Sequence, residues 1–333
     1  MGAQARQLGM IEQSLFTGYD IIGDIHGCAS ALEQLLLKLG YRRGANGYVY
    51  DNEAMPRQAI FVGDLIDRGS QIRETLAIVK AMHDNGAARV VMGNHEFNAI
   101  AYHTLYGEDF LRPHTERSNA QIRETLEAFK RSRGALEFYL TWFRTLPLFL
   151  EFDEFRVVHA CWDNQLIRDY WKTYGMNCLH PELLDVEAMM YDEALALRVL
   201  DRLTKGLSLP VPEGTLIQGR DGFMRKSFRV DFWSENAQVY DDIVFQPDPI
   251  PEEHRMRPLS EQDRNKLIFY SPDEKPLFIG HYWLSGMPAL VRPNIACLDY
   301  SAVNGGKLVA YRFNTGDTGL DNRRFVYVDC GLK

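Results

Sequence analysis

Five short apolar runs, each cut off by a cluster of polar residues, constrain this chain more than any other feature. They are "YDIIGDIHG" from Tyr19, "QAIFVGDLIDRG" from Gln58, "ARVVMGNHE" from Ala88, "FRVVHACW" from Phe155 and "PLFIGHYW" from Pro276. Unbroken runs of about four Ile, Val, Leu or Phe suit strands buried on both faces. Between the early runs, "SALEQLLLKLG" from Ser30 and "QIRETLAIVKAMHDNG" from Gln71 have apolar spacing near 3.6 and close on glycine, which predicts helices. Strand, helix, strand at this spacing means βαβ units and a layered α/β core. In such a sheet, residues just past the carboxyl ends of parallel strands meet in one crevice. Those residues are Asp24, His26, Asp64, Asp67, Arg68, Asn94, His95, Glu96, His159 and His281.

Imidazole, carboxylate and amide groups without thiolate favour a borderline or hard divalent cation over a cysteine-type zinc site. The set is larger than one ion needs. Two ions about 3.5–4 Å apart, sharing one carboxylate, would use it well, and they would activate water and polarise a phosphoryl oxygen. Asp64, at the end of a buried run, would then face two cations, which removes the cost of burying its charge. The other histidines, His83, His103, His114, His180 and His254, lack this context and read as structural or surface residues.

The remainder of the chain frames the crevice. Residues 120–145 read as helical, broken by Gly134 and packed on the sheet. After the fourth run, 181–206 read as amphipathic helix, and 213–233 as a β-hairpin turning at Arg220-Asp221-Gly222. "FQPDPIPEEHRMRP" reads as loop. Strands resume at "PLFIGHYW", "IACLDYS" and "KLVAYRF". The expected organisation is one domain over 18–333, with 163–275 inserted as a cap and 1–17 as an N-terminal extension.

Composition excludes some functions. The chain has 333 residues, 46% hydrophobic and 25% charged, an ordinary globular balance. Its net charge of −8 argues against charge-driven binding to nucleic acid or anionic membranes. No apolar stretch approaches the ~20 residues of a membrane span. The five cysteines, Cys28, Cys161, Cys178, Cys297 and Cys330, are odd in number and scattered. They read as reduced thiols of a cytoplasmic protein.

The runs "GDIHG", "GDLIDRG", "GNHE", "VVHA" and "GHYW" resemble the calcineurin-like metallophosphoesterases. They are most similar to the phosphoprotein-phosphatase branch with its GDxHG, GDxxDRG and GNHE signature. Within it they resemble bacterial and phage serine/threonine phosphatases and diadenosine-tetraphosphatase-like enzymes. "CLDYSAVNGGKLVAYRF" supports this: it resembles a "DTGAVxGGKLTALR" segment, with Tyr300-Ser301 in place of Thr-Gly. The resemblance covers roughly 18–162 and 276–313. It implies a β-sandwich flanked by helices. It implies two divalent ions, manganese first, with iron, zinc or magnesium compatible with the same donors. Asp24 and His26 would hold one ion, Asp64 would bridge, and Asn94, His159 and His281 would hold the other. His95 would protonate the leaving oxygen, oriented by Asp67. Arg68 would bind the phosphate, with Asn94 beside it.

The implied reaction is hydrolysis of a phosphoester or phosphoanhydride by metal-activated hydroxide. The substrate is a phosphorylated small molecule, a nucleotide or a phosphoprotein. Protein phosphatases of this branch carry a second phosphate-binding arginine between the last two metal histidines. Arg220, Arg225 and Arg229 are the candidates here. Tyr282, Trp283 and Trp162 flank the motifs and suit either base stacking or core packing. The alternative is a non-catalytic binding or scaffold protein on a phosphoesterase fold. Loss of a ligand would mark it, and none is missing. A dinucleotide-binding protein would need a GxGxxG turn that the first run lacks.

Overall fold

The computed structural model describes residues 16–179, 195–219, 222–245 and 250–331. Ten strands build two sheets: β1 (Gly18–Ile22), β2 (Arg57–Phe61), β3 (Ala88–Val90), β4 (Phe149–Glu151), β5 (Arg156–Val158), β6 (Leu277–Ile279), β7 (Ile295–Cys297), β8 (Asp299–Tyr300), β9 (Lys307–Asn314) and β10 (Phe325–Asp329). The first sheet has six strands. In it β1, β2 and β3 run parallel, with Ile22 opposite Phe61 and Phe61 opposite Val90. On its other side β1 pairs antiparallel with β9, Ile22 opposite Ala310. β10 takes the far edge of β9, so β8, which pairs with Leu308 and Lys307, continues the line of β1 past its end. This brings Asp299 beside Asp24. The second sheet has four strands in the order β7-β6-β5-β4, the first three parallel and β4 antiparallel.

Strand alternation explains the layering. Tyr19, Ile21, Ile60, Val62, Val309, Tyr311 and Phe313 of the first sheet face Leu150, Phe155, Val157, Phe278 and Ala296 of the second in one buried core. The residues between them turn outward and share a second core with the helices: Ile22, Phe61, Val90 and Ala310 from one sheet, Val158, Leu277 and Ile279 from the other. The helices are α1 (Ala29–Leu39), α2 (Ile72–Asp84), α3 (Asn94–His103), α4 (Glu116–Phe129), α5 (Arg133–Phe143), α6 (Asn164–Tyr174) and α7 (Leu195–Lys205). Gly40 closes α1 at φ +92°, with its N–H bonded back to Leu36 and Leu37. The sandwich with outer helices agrees with the expected fold class.

Two expectations are corrected, the position of the helix break and the single hairpin at 213–233. The helix break falls at 130–132, between α4 and α5, and Gly134 lies inside α5. α4 and α5 pack on α2 and α3, and Ile122, Phe129, Leu140 and Phe143 share the outer core with Phe61 and Val90 of the sheet. Second, 213–233 is not one hairpin. Ile217–Gln218 pairs with Met224–Arg225, whereas Ser227–Arg229 crosses to Ser208–Pro210. Alternation alone could not reveal that exchange of partners. Of the two readings open for the aromatics, Trp162 and Tyr282 take core packing, since both are buried, and Trp283 is half-buried. Residues 1–15, His180, most of the 181–206 segment, Arg220 with Asp221, and 246–249 lie outside the described residues. Leu209, Phe228, Val230, Tyr240, Ile243 and Leu259 form a separate small core within the 207–259 stretch. Among the described residues no helix is long and apolar enough to cross a membrane, and no disulfide joins the five cysteines.

Candidate metal centre

Every motif residue follows a strand end directly. Asp24 and His26 follow β1, Asp64 follows β2, Asn94, His95 and Glu96 open α3 after β3, His159 follows β5 and His281 follows β6. The chain must turn sharply there to aim side chains back over the sheets. His26, Asp64, Asp67, Arg68 and His281 all take positive φ, from 45° to 67°. A left-handed backbone costs a non-glycine residue about 1–2 kcal/mol. Such residues gather at functional sites because the surrounding structure holds them in place.

Glu96 is the anchor that holds the Asp64 turn. Its carboxylate accepts the N–H groups of Asp64 at 2.8 Å, Leu65 at 2.8 Å and Gly93 at 3.0 Å. Burial and the Asp64 charge push the Glu96 carboxyl up to about 7. Gly93 must be glycine, since a Cβ there would lie 2.3 Å from Asp64 Oδ1.

Asp64 stands at the centre. Its Oδ2 lies 3.3 Å from His159 Nε2, 3.6 Å from His26 Nε2 and 3.9 Å from His95 Nε2. Its Oδ1 accepts the His95 N–H at 3.0 Å. Two groups of donor atoms, each within 4.8 Å of one another, share this carboxylate: His26, Asp64 and His95 on one side, Asp64, His159 and His281 on the other. Asp24 belongs to neither group. Its oxygens accept the His281 N–H at 3.1 and 3.3 Å. Burial, Asp299 and Asp64 push its carboxyl well above the usual range.

The tautomers fit a metal. His26 Nδ1 donates to the Ile66 carbonyl at 2.8 Å, and His159 Nδ1 to the Val62 carbonyl at 2.7 Å. Each Nε2 is thereby turned toward the Asp64 carboxylate and, once deprotonated, offers its lone pair to an ion, with the backbone support usual for ligating histidines. His159 Nε2 also faces Asn94 Oδ1 at 3.3 Å. A ring nitrogen facing two acceptor oxygens requires a positive charge between them, a proton or a metal ion. Burial lowers His159, but without an ion Asp64 overrides it and pushes the ring up to about 10. Burial and Arg229 hold His281 well below its ordinary value, and its Nε2 is buried with no hydrogen-bond partner. An orphaned imidazole nitrogen, three acceptor oxygens and no thiolate form a donor set that fits a divalent cation.

Beside this centre, His95 Nδ1 donates to Asp67 Oδ2 at 2.6 Å. Burial opposes the imidazolium, but Asp64 and Asp67 outweigh it and raise His95 above its ordinary value. Thr125 of α4 completes the support: its hydroxyl donates to Asp67 Oδ1 and accepts the Asp67 N–H at 3.2 Å. No local motif marks Thr125, which is far from Asp67 in sequence. Arg68 is exposed. Arg229 donates to the His281 carbonyl at 3.4 Å, which puts this candidate arginine against a motif residue.

The arrangement is two groups of possible metal donors that share the Asp64 carboxylate, with an adjacent carboxylate–histidine pair, on a two-sheet sandwich. The calcineurin-like phosphoesterase family matches residues 19–281, and the chain belongs to it. It is 37% identical over 145 residues to the bis(5'-nucleosyl)-tetraphosphatase PrpE (asymmetrical) of Bacillus subtilis, covering 43% of this chain and 57% of that protein. With the Oceanobacillus iheyensis counterpart the match covers 54%, so the chain spans about half the length of these relatives. A symmetrical bis(5'-nucleosyl)-tetraphosphatase of Vibrio campbellii is 26% identical over 298 residues, 88% of this chain and 94% of that one. Among solved structures, a serine/threonine phosphatase of Saccharomyces cerevisiae with similarity to human phosphatase PP5 aligns at TM-score 0.50 and 15% identity, over 99% of this chain and 88% of that one. That likeness concerns the fold.

Proposed function

We propose that the chain hydrolyses a phosphoanhydride or phosphoester bond, with a dinucleoside polyphosphate as the favoured substrate. One observation carries the chemistry: a single carboxylate oxygen, Asp64 Oδ2, faces the Nε2 atoms of His159, His26 and His95 at 3.3, 3.6 and 3.9 Å. The tetraphosphatase relatives support the choice of substrate. Asp24, His26 and Asp64 would hold one divalent ion, and Asp64, Asn94, His159 and His281 the other. Manganese suits such mixed nitrogen and oxygen donors. Bound there, the ions supply Lewis acidity at the phosphoryl oxygen and a water of lowered pKa.

The chain's own groups do the rest. Arg68 and the Asn94 amide grip the phosphoryl oxygens, where the guanidinium fork suits planar bidentate contact. His95, protonated and backed by Asp67, delivers its Nε2 proton to the leaving oxygen. Thr125 keeps the Asp67 carboxylate from turning. The 163–275 segment reads as a cap, supported by its separate small core.

The test is turnover by the purified protein with added manganese. The panel holds p-nitrophenyl phosphate, a bis-ester, a phosphoserine peptide and diadenosine tetraphosphate. The highest kcat/KM is expected on diadenosine tetraphosphate. A phosphopeptide in first place would move the substrate to phosphoproteins. No turnover on any of them would leave the non-catalytic alternative standing.

A further inference from the structure

One face of α4 leads outward from the His95–Asp67 pair. Thr125, Gln121 and Arg117 are spaced by four residues, so they stand one above another, about 6 Å apart per step. Thr125 is bonded to Asp67. At the next step Gln121 Oε1 accepts from Arg112 Nη2. At the outermost step the Arg117 guanidinium lies 5.6 Å from the Phe223 ring of the 207–259 stretch. The track from Thr125 to Arg117 is eight residues of helix, about 12 Å.

Arg112 is positioned in advance. Its N–H bonds to the Ala101 carbonyl at 3.0 Å. Two residues on, the His114 ring is stacked between Tyr102 at 3.8 Å and Phe110 at 4.0 Å and bonded to the Tyr102 carbonyl at 2.9 Å. Half-buried, Arg112 meets a neutral amide and, among the described residues, no carboxylate within ion-pair distance. In a chain of net charge −8, with acids to spare, that choice of partner is informative. Burial lowers Arg112 from its ordinary value; Asp67 opposes this and Arg117 adds to it.

The direction of the track matters. On the functional reading above, on which this inference rests for the position of the scissile phosphate, the leaving oxygen departs on the side of His95. Asp67, Thr125 and α4 lie on that side of Asp64, and His159 and His281 on the other. We propose that Arg112, with Arg117 one step beyond it, forms a second phosphate subsite that holds the leaving-side phosphates of a linear polyphosphate, inorganic or nucleoside-linked. A serine phosphoester has no phosphate on that side and gains nothing from it.

Binding decides the matter without reference to turnover. The metal-loaded full chain is titrated calorimetrically with methylene-bridged tripolyphosphate and with orthophosphate, both in excess magnesium. The wild type should bind the tripolyphosphate at least about tenfold more tightly than orthophosphate, as one further charge-assisted contact implies. Arg112→Gln should erase about tenfold of that advantage, while its loss on orthophosphate stays within about threefold. Arg112→Lys keeps the charge without the fork and should fall between; it also serves if Arg112→Gln does not fold. Equal wild-type affinities for the two ligands, or equal losses on both in the variants, would overturn the subsite. Wild-type turnover of p-nitrophenyl phosphate reports the hydrolase reading separately: if it is absent, that reading fails while the binding ratio still decides the subsite.

Discussion

His95 Nδ1 lies 2.6 Å from Asp67 Oδ2, and the other oxygen of that carboxylate is fastened by the Thr125 hydroxyl. Asp67 and Thr125, from two other parts of the chain, thus hold this imidazole, with its Nε2 turned toward Asp64. This pair sets the first expectation. General acid help is worth about 10²–10⁴-fold, and it matters most when the leaving group is a poor one. His95→Asn should therefore cost an alkyl phosphoester most of that range and p-nitrophenyl phosphate clearly less. Asp67→Asn should do the same more weakly. Steady-state kcat on both esters, with metal analysis of the same samples, checks it. Equal losses together with lost metal would make His95 a ligand, a role its place within 4.8 Å of His26 and Asp64 also allows.

The unpartnered His281 Nε2 predicts a change in metal content. His281→Ala should lower bound metal from about two ions per chain to about one, with the fold kept. Elemental analysis after dialysis reads this directly. Unchanged stoichiometry would remove His281 from the ligand set.

Gly280 predicts a steric route to the same centre. A Cβ there would lie 2.0 Å from Asp24 Oδ1 and 2.7 Å from Val62 Cγ2. Gly280→Ala must displace Asp24, and should weaken metal binding about 10–100-fold, as disturbed supporting groups do. Circular dichroism should remain that of the wild type. Wild-type metal affinity would show that Asp24 has no part in holding the ion.

Glu96 predicts a stability effect. Glu96→Ala strips three backbone N–H groups of their acceptor and should cost about 3 kcal/mol or more. Glu96→Gln keeps one carbonyl acceptor and should cost less. Urea denaturation of the metal-free protein separates the two.

Asp231 predicts a pH effect. Burial pushes its carboxyl up to about 7, from an ordinary 3.8. Between those values the folded protein keeps a proton that the unfolded chain has released, so stability falls as pH rises. Below pH 3.8 both states hold the proton, and the penalty is absent; above about 7 it is fully present. Asp231→Asn should therefore raise Tm at pH 8 and have no such effect at pH 3.5, a difference that thermal melts can read.

The sequence by itself determined which polar residues stand at the strand ends. Asp24, His26, Asp64, Asn94, His95, His159 and His281 each sit within a few residues of an apolar run. A strand end is a local event: burial stops, the chain turns, and whatever follows stands at the rim of the sheet. Side-chain period and run length are enough to place such residues. The layered α/β core was legible for the same reason, whereas the two-sheet sandwich was implied by the resemblance of the motifs to a known family.

What depends on contacts across the chain was not legible. Nothing near Thr125 points to Asp67, 58 positions away, and nothing near Gln121 points to Arg112. Glu96 stood among the strand-end residues, but that it grips the Asp64, Leu65 and Gly93 amides follows only once β2 and β3 lie side by side. The partner exchange of Ser227–Arg229 with Ser208–Pro210 is of the same kind. Periodicity states which face of an element is apolar, not which surface will cover it. That choice is made by the packing of whole layers, where many weak contacts compete at once. It was therefore the tertiary structure that set the Thr125 support behind His95, the left-handed turns and the contact of Arg112 with Gln121 of α4.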